Sequence, residues 1–262
     1  ENETVNETVI ENQNVDRSQN NLINDEEFLI KIDEGETYFN FSSYGGLSSE
    51  YNTSVAVNNT KILNSILNFS YKKKDIVIEF PENNTFWFNG GIYGRDIKNL
   101  TFIIDGSLNF ISDRNMWPTK GNKSQNVQEC IMLDNIDGFQ LQSNNKYKGL
   151  INGNGEKWWG IMNYLVYKEN RPRLFHIRNS SNILVKNILF KDSPYWTFYA
   201  EDVIDMEVMD TDIDVRRTDN NYHSLYDLTA FNTDGFDISG KNIYIHDVNI
   251  WNQDDCIAVK SQ

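Results

Sequence analysis

The sequence predicts an all-β fold, a parallel β-helix with a short N-terminal capping helix. Three windows carry that prediction: residues 182–190 read NILVKNILF, 205–213 read DMEVMDTDI, and 242–250 read NIYIHDVNI. Each opens on Asn or Asp, alternates apolar with polar residues, carries a second Asn or Asp five residues on, and then resumes. The first two are offset by 23 residues and the third by a further 37, one such period plus an inserted loop of about 14. A period in the low twenties with short strands and polar corners is the pattern of stacked β-coils. Alternate apolar residues fill the interior, while Asn and Asp tolerate the left-handed corner and ladder from coil to coil. A β-sandwich shares the short, regularly spaced strands. The corners, kept in register, favour the solenoid.

From the N-terminus, residues 1–25 read as a disordered tail. They are polar, acidic and Asn-rich, with NETV repeated, and cannot bury enough apolar area to offset the entropy of ordering. Residues 26–262 form the expected β-helix domain. Within it, residues 58–70 place Ile62, Leu63, Ile66, Leu67 and Phe69 at near-helical spacing, with Asn58 or Asn59 as the N-cap. This amphipathic helix would cover the open edge of the first coil. A strand, a turn at Pro81 and a second strand follow. Residues 99–104, NLTFII, give a looser copy of the repeat.

Composition narrows the function. The 262 residues carry a net charge of −14, which argues against nucleic acid because phosphate binding needs a basic face. No apolar run approaches the ~20 residues of a membrane span. Sequons at positions such as Asn40, Asn99 and Asn179 point to the secretory route. The chain does not begin with Met and shows no signal peptide, which fits a cleaved leader or a trimmed start. A secreted, monomeric protein is expected. Cys130 and Cys256 are too few for a disulfide framework and make zinc ligation by cysteine a poor expectation.

The chemistry concentrates in the last thirty residues. Asp234 opens a strand after Asn232-Thr233, and Asp254 and Asp255 open another 20 and 21 residues later. That is close to one solenoid turn, so the three carboxylates should meet on neighbouring coils. Carboxylates that close repel, and at least one should keep a proton near neutral pH. Glycoside cleavage needs such a pair, a protonated acid for the leaving oxygen and an ionised base for water. The same cluster could instead hold Ca²⁺ in a lyase that abstracts the proton beside a uronate carboxyl, or belong to a carbohydrate-binding solenoid without catalysis. The hydrolytic reading needs no cofactor and no metal.

Asn232-Thr233-Asp234-Gly235 followed by Gln253-Asp254-Asp255-Cys256 resembles the polygalacturonases of glycoside hydrolase family 28. Ile151-Asn152-Gly153-Asn154-Gly155 with Trp158-Trp159, Arg171-Pro172, and Ser193-Pro194-Tyr195-Trp196 also fit that family, over residues 56–262. The resemblance implies a right-handed β-helix and hydrolysis of α-1,4-linked galacturonate in pectin with inversion. It makes Asp254 the general acid, has Asp234 and Asp255 hold the water, and puts Asn232 in the substrate groove. Inversion sets acid and base roughly 6.5–9.5 Å apart.

The sequence departs from the family in one respect. The Gly-His-Gly and Arg-x-Lys segments that follow the double Asp in the family do not occur before Gln262. The chain is therefore expected to be a piece of a longer enzyme, its last strand unpaired on one edge, and to hydrolyse polygalacturonate poorly alone. Gln253 and Lys260 are the substrate-binding candidates beside Asn232, with Lys241 a further nearby cation. Cys256, which pairs downstream in many relatives, is expected as a free thiol. Trp158 and Trp159 read equally as sugar platforms or packing. Tyr195 and Trp196 read as packing, and Arg216-Arg217 as a solvated charge pair.

Overall fold

The computed structural model describes residues 30–121, 126–216 and 230–261, together with the strand Glu7–Val9. That strand runs antiparallel to Lys31–Asp33. The rest of the segment read as a tail lies outside the described residues.

The body is a right-handed parallel β-helix. One long sheet runs from Tyr38–Asn40 through Lys74–Phe80, Ile92–Ile104, Ile131–Gln142, Phe175–Arg178, Phe198–Met209 and Phe236–Ile245 to Ile257–Val259. A six-stranded sheet runs from Thr85–Phe88 to Asn249–Trp251. All pairings within these two sheets are parallel. The three sequence windows stack as read: Ile183 pairs with Met206 and Met206 with Ile243. The looser copy at 99–104 sits two coils earlier, with Leu100 beside Phe139 and Phe139 beside Ile183.

The corners follow from residue type. Asp75, Asn99, Asn182, Asp205 and Asn242 all have φ between 54° and 59°, and Gly138 completes the row at 84°. Asn and Asp bear this left-handed backbone better than other side chains, and their short amides bridge the coils. Asn99 Nδ2 donates to Asp75 Oδ1 at 2.7 Å and Asn242 Nδ2 to Asp205 Oδ1 at 2.8 Å. A second row, Asp96, Asn135, Asn179 and Asp202, repeats the device. Two of the sequons noted above, at Asn99 and Asn179, therefore already spend their amide nitrogen inside the ladders. The third row, Asn187, Asp210 and Asp247, is the Asn/Asp found five residues into each window.

Inside, aromatic rings stack along the axis. Phe175 and Phe198 lie 5.2 Å apart at an interplanar angle of 1°, with Phe139 and Phe236 continuing the column at 5.9 and 5.8 Å. The helix Thr53–Phe69 covers the first coils. It starts earlier than its apolar spacing suggested, because Asn52 is the cap: its Oδ1 accepts from Val55 N at 3.0 Å. Asn58 and Asn59 lie within the helix instead. Asn59 is buried, exchanges two hydrogen bonds with the backbone of Leu47 and donates a third to Trp87 O. Removing that amide strands three backbone groups, so Asn59→Ala costs about 2–3 kcal/mol, measurable by urea unfolding.

Candidate active site

The register places the acidic residues. Phe236 pairs with Ile257, which sets Asp234 beside Asp255 on the next coil. Gly235 N donates to Asp255 O at 2.9 Å, and a Cβ at Gly235 would come within 2.4 Å of Cys256 O. Glycine at this position lets the two coils close. One oxygen from each of Asp234, Asp254 and Asp255 then lies within 4.8 Å of the others.

Asp254 is exposed and held by backbone. Its Oδ2 accepts from Asn232 N and its Oδ1 from Asp255 N, both at 2.9 Å. Asn232 reaches that position with φ of 55°. Gln253 N donates to Thr233 Oγ1 at 3.1 Å, tying the two motifs together. Asp234 is only 5% exposed. Its burial, reinforced by the charges of Asp237 and Asp254, pushes its carboxyl up to about 7. The raised proton affinity expected of one member of the cluster thus falls on Asp234.

Asp237 is a site residue that sequence reasoning missed. It is fully buried, its Oδ1 is 2.6 Å from Lys260 Nζ, and the same ammonium lies 3.8 Å from Asp234 Oδ2. Burial raises the Asp237 carboxyl while Lys260 opposes it. The signal was present: Phe236 points into the core, so strand alternation turns Asp237 to the outer face. Lys260 also sits 4.4 Å from the Trp196 ring centroid. Lys241 lies farther along the same strand, beside Ile204.

Several other candidates resolve into packing. Trp158 and Trp159 are buried; Trp158 meets Trp117 edge-on at 5.1 Å and Trp159 Nε1 donates to Ser193 O. Neither presents a face to a sugar. Tyr195 and Trp196 stack on each other at 5.3 Å and are both half-buried, which is coil-surface packing. Arg216 pairs with Asp214 through two contacts at 2.6 and 2.7 Å; Arg217 lies outside the described residues. Cys130 is a buried free thiol and Cys256 an exposed one.

The three clustered oxygens also match what a hard divalent cation takes from protein. The Lys260 ammonium already supplies positive charge there.

Comparison with known proteins bears on the fold and the family. The profile of Glycosyl hydrolases family 28 matches residues 78–262, leaving the capping helix outside the match. Endo-xylogalacturonan hydrolase A of Aspergillus tubingensis is 29% identical over 185 residues, covering 70% of this chain and 42% of that protein. Probable endopolygalacturonase C of Aspergillus niger is 32% identical over 131 residues, 49% of this chain and 32% of that one. The chain thus spans less than half the length of these relatives. Among solved structures, the endo-xylogalacturonan hydrolase from Aspergillus tubingensis superposes with a TM-score of 0.61 at 25% identity, over 81% of this chain and 51% of that one. An exopolygalacturonase from Thermotoga maritima shares the fold at a TM-score of 0.60 and 16% identity, over 86% and 54% of the two chains.

Proposed function

Because the chain belongs to glycosyl hydrolases family 28, we propose that it cleaves pectin-type polysaccharides outside the cell, with α-1,4-linked galacturonate as the backbone attacked. The observation that carries this reading is the convergence of Asp234, Asp254 and Asp255, with Lys260 and the Trp196 ring beside them. Asp254 donates its proton to the glycosidic oxygen as the C1–O bond breaks. Water, held by Asp234 and Asp255, attacks C1 and gives up its proton to that pair. Asn232 and Gln253 shape the groove beside them, and Lys260 offsets the charge of Asp234 and Asp237.

The raised proton affinity of Asp234 favours a second assignment, in which Asp234 is the proton donor and Asp254 and Asp255 handle water.

One experiment tests the reaction class. The protein is mixed with polygalacturonate and the first sugar anomer is followed by NMR. Initial appearance of the β-anomer supports inversion, and initial α-anomer supports retention. An unsaturated product that depends on Ca²⁺ would replace hydrolysis by elimination. Binding without any product would leave a carbohydrate-binding solenoid.

A further inference from the structure

A cavity of about 470 Å³ lies against the outer face of the long sheet. A row of paired positions runs through it: Tyr93 beside Met132, Met132 beside His176, and His176 beside Tyr199. The next residue in that row is Asp237, which pairs with Tyr199 and contacts Lys260 beside the acid cluster. Two strand spacings, about 10 Å, separate His176 from Asp237.

The lining carries more positive charge than negative: Lys120, Arg173 and Arg178 stand against Glu129 and Glu201. Arg178 has a partner outside the lining, Asp134, whose Oδ2 is 2.7 Å from its Nη2. Lys120 and Arg173 have one carboxylate between them. Lys120 Nζ and Arg173 Nη1 both contact Glu129 Oε1, at 2.8 and 2.9 Å. One buried carboxylate cannot neutralise two cations, so this end of the cavity keeps one positive charge in excess. Arg173 spends Nη1 on Glu129, while its buried Nε has no hydrogen-bond partner among the described residues. Its guanidinium thus keeps an unused edge, and such an edge grips a carboxylate through paired N–H bonds. Glu201 lies across the imidazole from this pair: His176 Nε2 is 3.0 Å from Glu201 Oε2, and Nδ1 is 4.0 Å from Glu129 Oε1. Burial lowers that ring to about 4, so it stays neutral and adds no charge.

We propose that this cavity is a subsite for a uronate, with Arg173 and Lys120 as the residues that demand a free carboxylate there. The carboxylate completes a two-by-two set, Lys120 and Arg173 against Glu129 and the ligand. Such a partly buried set is screened less than a pair in open solvent. A methyl ester or an uncharged C6 hydroxymethyl leaves the excess charge where it was. Tyr199 lines the same cavity and supplies an apolar surface for the sugar ring. It is fixed in advance, stacked on His176 at 4.5 Å and edge-on to Trp196 at 5.2 Å. Arg173 links this subsite to the acid cluster. Its guanidinium lies 5.1 Å from the Tyr199 ring centroid and 4.5 Å from that of Trp196, which Lys260 meets at 4.4 Å. Neither Arg173 nor Lys120 belongs to the motifs that carry the family resemblance. The inference deepens the reading above and rests on it in taking the ligand to be a pectin-type polysaccharide.

The test compares methyl α-D-galacturonopyranoside with its methyl ester and with methyl α-D-galactopyranoside at neutral pH, where the acid is ionised. Protein labelled at the methionine methyls reports through Met132, which lines the cavity. The galacturonide is expected to shift the Met132 signal with a Kd of roughly millimolar order. It should bind at least about fivefold tighter than either neutral probe and lose that margin as salt rises. Lys120 is exposed, so Lys120→Gln leaves the fold intact and matches Arg173 to Glu129 one to one. The margin should then fall below about twofold, with the neutral probes unaffected. Arg173→Lys keeps the charge but loses the paired donors, and should weaken the galacturonide by about threefold. Equal or tighter binding of either neutral probe overturns the proposal, as does a margin that survives Lys120→Gln or a Met132 signal unmoved by all three. Acetate that matches the galacturonide in affinity reduces the site to a simple anion hole and equally overturns it. The measurement needs no turnover. A protein that binds the galacturonide at Met132 but cleaves nothing refutes the proposed reaction and leaves the subsite standing, whereas cleavage of polygalacturonate without the margin refutes the subsite alone.

Discussion

Asp254→Asn lowers turnover on polygalacturonate by about 10²–10⁴-fold, the usual contribution of a positioned acid or base, with only a small fall in thermal unfolding. The fold tolerates the change because the side chain is exposed. The amide must keep its oxygen toward one backbone donor and lose the other, a loss confined to the surface. If Asp254 is the proton donor, a substrate with an acidic phenol as leaving group loses far less rate in this variant than polygalacturonate does. An equal loss on both substrates would assign Asp254 to water activation instead.

Asp234→Asn removes the same order of activity but also changes stability, and the direction follows from its proton affinity. The folded protein holds a proton on Asp234 up to about pH 7, whereas the unfolded chain releases it near the ordinary value of about 3.9. Between those limits the folded state binds more protons, so stability is full below about pH 4 and falls as pH rises toward 7. The amide has no proton to lose. At pH 7.5 the variant is expected to be more stable than the parent by about 2–3 kcal/mol, from about 1.4 kcal/mol per unit with allowance for Lys260. At pH 4 the two should match. Urea midpoints at both pH values check this, and equal midpoints at pH 7.5 would remove the argument for a proton on Asp234. The parent's pH–rate curve then assigns the role: a limb near 7 that falls toward high pH marks Asp234 as the acid, and one that falls toward low pH marks it as the base.

The second large effect is structural. Phe198→Ala costs about 3–5 kcal/mol, because the ring is fully buried and touches Phe175, Phe190 and Phe236 at 5.2, 5.7 and 5.8 Å. In a solenoid each coil is stabilised by its neighbours, so the damage should be local. Amide exchange is expected to accelerate most at Phe175–Arg178 and at residues 236–238, the strands paired to it. Tyr147→Ala, at a side chain 76% exposed, stays within about 0.5 kcal/mol. A uniform rise in exchange along the whole chain would contradict the coil-by-coil picture. The effect also reaches the site, since Thr197 N donates to Asp234 O.

The sequence by itself determined the coil architecture, because each coil obeys rules written locally. Left-handed corners demand Asn, Asp or Gly, and the strand between corners demands alternation, so offsets of 23 and 37 residues could be read as stacking partners. Offsets of 20 and 21 residues likewise predict that Asp234, Asp254 and Asp255 meet, since a turn of about 21 residues converts sequence distance into one strand spacing. Local rules failed where a side chain answers to distant backbone. Asn59 is one of two residues expected as the helix cap but is committed to Leu47 and Trp87, and the Trp158–Trp159 pair, open in the sequence between sugar platform and packing, faces inward. Only the tertiary structure decided that Lys260 reaches both Asp237 and Asp234. Proton affinity and ligand charge depend on burial and on which charges end up within a few ångströms, and neither is written in any one segment.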